Sequence, residues 1–152
     1  SMSAFNAWVM LKSLETMTMR VERMASSALA IAEYFEGRKG VKAVHYPFLK
    51  SHKQHGLAKA QMSGGGTTVA IEFDAPQEKV FSLMNALQVI DISNNLGDSK
   101  SLITHPASTT HRRLAPEVQA EMGITPSTVR LSVGLEAVAD LIRDLENACD
   151  SL

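Results

Sequence analysis

The sequence predicts an α/β fold: a two-layer sandwich whose single sheet carries helices on one face. Three observations predict it. Met10, Leu14, Met17, Val21, Met24, Ala28, Ile31 and Phe35 recur at steps of four and three, the period of one helix stripe. Val69, Ile71 and Phe73 recur at every second position, and so do Val129, Leu131 and Val133, the period of strands buried on one side. Amphipathic stretches follow those strands, one with Val80, Phe81, Met84 and Leu87, the other with Val138, Leu141, Ile142, Leu145 and Ala148, so strands and helices alternate.

The first stripe predicts a helix from Ser3 to about Glu36, ended by Gly37, with a bend near Thr16–Thr18 where a weak helix former interrupts it. Phe5, Trp8 and Leu11 widen its apolar side. Val41 to Tyr46 reads as a short strand closed by Pro47. His52 to Met62 reads as a helix capped by Ser51, and Gly64-Gly65-Gly66 as a connection. The strand from Thr67 to Phe73 leads into a helix capped by Asp74 with Pro76 in its first turn. Periodicity then fades from Val89 to Arg113, where only Ile90–Ile92 and Leu102–Thr104 read as short strands. A short helix from Ala115 to Met122, a strand from Thr128 to Val133 and a helix from Ala137 to Ser151 complete the chain. Ser1-Met2 reads as a cloning remnant, so further residues are expected upstream.

Composition narrows the function classes. The chain has 152 residues, 45% of them hydrophobic, enough for one core. The formal net charge is -1 and the cations are dispersed, which speaks against nucleic acid or an anionic membrane as partner. Aromatics make up 5%, too few for a base-stacking surface. No apolar run approaches the roughly 20 residues of a membrane span. Cys149 is the single cysteine, which fits a reducing compartment, and a cytoplasmic location is expected.

Arg130 is the most informative residue. In Val129-Arg130-Leu131-Ser132-Val133 the alternation buries the apolar residues toward the helices and turns Arg130 and Ser132 to the other face. A guanidinium there suits a carboxylate gripped by two bonds; it equally suits an ordinary surface pair with an Asp or Glu. Asn94-Asn95-Leu96-Gly97-Asp98 and His105-Pro106-Ala107-Ser108-Thr109-Thr110-His111 crowd amides, hydroxyls and backbone N–H groups, as an anion pocket does, and also as a polar loop does. His52-x-x-His55 has no third ligand at a zinc spacing and reads as a solvated helix face. Gly64-Gly65-Gly66 lacks the Lys-Ser/Thr tail of a P-loop. Cys149 reads as a small core residue.

Three motifs carry a resemblance. Ser3-Ala4-Phe5-Asn6-Ala7-Trp8 with Leu11-Lys12-Ser13-Leu14-Glu15-Thr16-Met17 resembles the start of the C-terminal region of the Cys/Met-metabolism pyridoxal-phosphate (PLP) enzymes. Leu96-Gly97-Asp98 with His105 to His111 resembles that family's loop at the substrate pocket, and Val129 to Glu136 its closing strand. They stand in family order and cover essentially the whole chain. Ala4 in place of Pro and Ala137 in place of an acid depart from the pattern.

The resemblance implies the fold-type I, aspartate-aminotransferase-like architecture. Residues 3–37 would be the long connecting helix and 38–152 the small C-terminal domain, with the large PLP-binding domain outside this chain. It implies that Arg130 clamps the substrate's α-carboxylate, with Asn95, the backbone of Leu96 and Thr110 around it. Asn95, where many lyases carry Ser, and Thr109-Thr110 lean toward O-acylhomoserine sulfhydrylases, O-succinylhomoserine first and O-acetylhomoserine second, making homocysteine by γ-replacement in methionine biosynthesis. Cystathionine γ-synthase, cystathionine γ-lyase and methionine γ-lyase are the alternatives within the family, and a stand-alone amino-acid-binding regulatory module the alternative outside it. The implied partners are an amino-acid substrate, the protein's own N-terminal PLP domain, and sister subunits of a homotetramer. None of the eight lysines, Lys12 through Lys100, sits in the family's Schiff-base motif, so this chain alone is expected neither to hold PLP nor to turn over substrate.

Overall fold

The structure, a computed structural model, describes residues 2–150; the expectations for Ser1 and for the last turn at residues 151–152 lie outside the described residues. Helices α1 (Ala4–Leu14) and α2 (Met17–Phe35) lead into β1 (Val41–His45), α3 (His55–Gln61), β2 (Thr68–Phe73) and α4 (Gln77–Ala86). Then come β3 (Asp91–Ile92), β4 (Leu102–Thr104), a 3-10 turn at Pro106–Ser108, α5 (Pro116–Glu121), β5 (Thr128–Ser132) and α6 (Val138–Cys149). The strands form one sheet in the order β1-β2-β5-β4-β3, antiparallel except for the β3–β4 pair.

One sheet face is apolar because period 2 puts Val69, Ile71 and Phe73 of β2 beside Val129 and Leu131 of β5. Against it pack Ile31 and Phe35 of α2, Val80 and Leu83 of α4, and Leu141 and Leu145 of α6, one continuous core. The α/β sheet-and-helix expectation is met. Cys149 lies half-buried at the core's edge, and burial pushes its thiol up.

The opening helix, expected to run on through a bend near Thr16–Thr18, is broken at that place into two helices. Thr16 leaves helical geometry (φ −108°, ψ 6°), the Glu15 N–H turns back to Lys12 O, and the Arg20 side chain donates to Ser13 O across the break. The apolar stripe is buried only from Met24 onward; Met10, Leu14, Met17 and Val21 face solvent, as do Phe5 and Trp8. The physical reason is length: the helical pair outruns the small sheet, and nothing in the described chain covers α1.

Two caps also differ. Ser51 hydrogen-bonds the Glu36 carboxylate instead of capping, and α3 starts later, at His55. Pro76 rather than Asp74 occupies the cap of α4, with no side-chain cap bond. The aperiodic stretch has a topological cause. Parallel neighbours need a crossover, and residues 93–101, joining β3 to β4, make theirs over the sheet face opposite the helices.

Candidate functional site

Arg130 sits in the middle of the sheet, paired to Ala70 of β2 on one side and Thr104 of β4 on the other. Its side chain stands on the face away from the core, as the alternation requires. Nη2 donates to Asn94 O at 2.8 Å and to Asn95 O at 3.2 Å. Nε is buried without a partner, and a buried unsatisfied donor costs about 1–3 kcal/mol. Among the described residues no carboxylate pairs with Arg130. The surface-pair reading therefore has no acid to support it. The guanidinium is instead anchored by two carbonyls with an N–H unspent. Arg38 is the contrast: it is matched by Glu146 at 2.9 Å and stacks on the Tyr34 ring.

The loop beside Arg130 is held by polar bonds. Asn95 N donates to Ser93 Oγ at 3.2 Å, and Gly97 N donates to Ser132 Oγ at 2.9 Å. Gly97 takes φ +79°, a left-handed conformation that glycine adopts without cost. The Asp98 carboxyl is held below its usual range, first by the Lys100 N–H and then by Ser99. Leu96, at the crest, is 61% exposed.

The second polar segment meets this loop through β4. Thr104 Oγ1 lies 2.8 Å from Asn94 Oδ1 and 3.0 Å from Thr109 Oγ1, which donates to His105 O at 2.7 Å. His105 is buried, with Nε2 2.8 Å from Pro126 O and Nδ1 2.8 Å from Ser108 Oγ. A carbonyl only accepts, so Nε2 carries the proton and Nδ1 accepts from Ser108. Thr110 Oγ1 is exposed and lies 2.9 Å from His111 Nδ1. Asn94, Ser108, Thr109, Thr110, Arg112 and Arg113 line one open groove of about 510 Å³.

Arg130 and Asn95 are thus in direct contact, Leu96 crowns the same loop, and Thr110 shares a groove with the neighbouring Asn94. Asn94 stood in the polar stretch singled out from sequence, whereas Thr104 and the Arg112-Arg113 pair are residues that sequence reasoning missed. The adjacent arginines were a visible signal. Thr104 carried none, because its contact with Asn94 arises only from strand pairing. The groove presents the Arg112 and Arg113 side chains with the hydroxyls of Ser108, Thr109 and Thr110, groups suited to an anion, and Arg130 stands beside it through Asn94.

A family model described as Cys/Met metabolism PLP-dependent enzyme matches residues 1–150. An O-succinylhomoserine sulfhydrylase of Mycobacterium tuberculosis is 52% identical over 152 residues, covering 97% of this chain and 37% of that protein. One of Pseudomonas aeruginosa is 41% identical, covering 100% of this chain and 38% of that protein. Among solved structures, a putative O-acetylhomoserine (thiol)-lyase of Campylobacter jejuni, bearing a pyridoxyl-lysine phosphate, superposes with a TM-score of 0.92 at 38% identity. That match covers 99% of this chain and 36% of the other. The chain therefore spans little more than a third of the length of these relatives.

PLP bonds to a lysine amine, and the groove described above is lined by none. Lys100 is paired with Asp91, Lys42 with Glu72 and Lys12 with Glu15, while Lys59 stands over the Phe48 ring. These residues do not fit the covalent end of the cofactor. By its sequence match along almost its whole length and by its α/β fold, the chain belongs to the Cys/Met-metabolism PLP-dependent enzymes.

Proposed function

We propose that this chain is the C-terminal, substrate-carboxylate-binding part of an O-succinylhomoserine sulfhydrylase. The whole enzyme replaces the acyl group at the substrate's γ-carbon by sulfide and so makes homocysteine for methionine synthesis. O-acetylhomoserine is the second candidate substrate. The observation that carries the reading is the Arg130 guanidinium, half-buried on the open sheet face, paired with no acid among the described residues, and fastened to the Asn94–Asn95 turn. The 52% identity to the mycobacterial enzyme supports the choice of branch.

In this reading Arg130 grips the α-carboxylate, the Asn95 side chain and the Leu96 N–H complete the anion's shell, and Thr110 borders it. Their work is positioning, which converts binding energy into correct orientation of the reacting bonds. When bound, PLP supplies the electron sink for bond breaking at the substrate's carbons. Its lysine and phosphate cradle belong to an N-terminal domain outside these residues, and the whole enzyme is a homotetramer. The apolar, exposed α1 supports such a covering partner.

The test uses full-length enzyme carrying Arg130→Ala. Loss of a charged contact to the carboxylate should lower kcat/KM by the equivalent of about 2–5 kcal/mol. Unchanged turnover of O-succinylhomoserine with sulfide would remove the role given to Arg130. Faster turnover of cystathionine or methionine than of O-acylhomoserines would move the protein to a γ-synthase or γ-lyase branch.

A further inference from the structure

We propose that Glu136 is a positioning residue for the carboxylate-binding loop, acting through the buried hydroxyl of Ser101. The inference rests on the carboxylate-binding reading and deepens it. Along the end of β5, every second position holds a successive part of the crossover loop. Arg130 holds the carbonyls of Asn94 and Asn95, and Ser132 Oγ holds Gly97 N at 2.9 Å. Gly134 N donates to Ser101 Oγ at 2.8 Å. The Glu136 carboxylate takes Ser101 N on one oxygen and Ser101 Oγ on the other, each at 2.8 Å. Arg130 and Ser132 follow the strand's alternation, and Gly134 and Glu136 lie beyond β5, Glu136 in a bend.

Elsewhere the loop is tied at its first limb, where Asn94 Oδ1 meets Thr104 Oγ1 at 2.8 Å, and by the exposed Lys100–Asp91 pair. Residues 94–100 are exposed throughout, so no apolar packing fixes them, and an unpacked segment keeps its geometry only through such tethers. Glu136 closes the return limb. Its carboxylate orients the Ser101 hydroxyl, which leaves a lone pair for Gly134 N–H. The Leu135 N–H binds Ser99 O at 2.8 Å alongside. The approach is so tight that a Cβ on Gly134 would stand 2.4 Å from Ser99 O and 2.5 Å from a Glu136 carboxylate oxygen. Ser101 is wholly buried. Without Glu136, its N–H and O–H lose their acceptor where water does not reach. The limb then shifts, and the displacement passes to the Asn95–Leu96 crest and to the carbonyls that aim Arg130. Glu136 touches no substrate in this scheme; it fixes the parts that do.

The test uses full-length, PLP-loaded enzyme and two competitive probes differing only in the carboxylate: L-norleucine and pentylamine. Glu136→Ala should weaken norleucine inhibition by about tenfold to a hundredfold, the cost of a displaced contact, and leave pentylamine within about threefold. Ser101→Ala should act in the same direction. Adding it to Glu136→Ala should change norleucine by no more than about twofold, because coupled residues are not additive. Glu136→Gln, which keeps an acceptor for Ser101 N–H, should fall between. Equal weakening of both probes, or unweakened norleucine in a folded variant, overturns the proposal. If Glu136→Ala does not fold, Ser101→Ala decides by the same comparison. Arg130→Ala separates the two readings. If it leaves norleucine unchanged, the carboxylate reading itself fails; if it weakens norleucine while Glu136→Ala does not, only the role of Glu136 fails.

Discussion

Arg130 and Glu72 stand on the same open sheet face, yet their charges are treated differently. Arg130 keeps a donor unspent, whereas Glu72 is fully matched. Burial alone would raise the Glu72 carboxyl. The hydrogen bonds from Lys42 Nζ at 2.8 Å and Thr125 Oγ1 at 3.1 Å reverse that and hold it below its usual value. A carboxyl lowered in the folded state contributes stability above its unfolded pKa of about 4.3, and that contribution disappears as pH falls through the folded value. Glu72→Gln should therefore lower the urea midpoint near pH 7 and bring it close to that of the parent at the acid end, which paired denaturation curves would check. Arg130's face was legible beforehand because alternation fixes it. The matching of Glu72 was not, since Lys42 and Thr125 reach it only through strand pairing and a turn.

At the scale of elements, Asp144 ties α6 to the turn after α4. It is buried, and its two oxygens accept the backbone N–H groups of Gln88 at 2.8 Å, Val89 at 3.0 Å and Ile90 at 3.0 Å. Those donors precede β3 and have no strand partner to take them. Asp144→Ala leaves them unmet and should cost about 3 kcal/mol, read as a lower urea midpoint with unchanged m-value. The apolar stripe of α6 was readable at Leu141, Leu145 and Ala148, but an acid on its buried side was not, because its partners lie far away in the chain. The two short strands flanking residues 93–101 were also found from sequence. Their parallel direction was not, since pairing direction is a property of the connection rather than of either strand.

For the whole molecule, the opening helices set the most visible boundary. The four-three stripe gave the right face of α2 from Met24 onward and a misleading one before it. Periodicity reports which side of a helix is apolar, not whether anything lies against it. Phe5 is 69% exposed, Trp8 57% and Leu11 61%, and large apolar side chains left open together on one helix are the kind that mark an interface. The isolated chain should therefore self-associate, and Phe5→Lys with Leu11→Lys should shift it toward monomer in sedimentation velocity. An unaltered distribution would show that α1 does not drive the association.

The same-direction run of β3 and β4 carries one more consequence. A ribbon that must return the full length of its neighbour before pairing again has a set distance to cover, and here it is pinned at intervals on the way. Side chains along it are open to exchange, since most of them point outward. The number of residues is not, because dropping one would pull some pin out of reach of its hole. The loop is thus adjustable by lettering rather than by length.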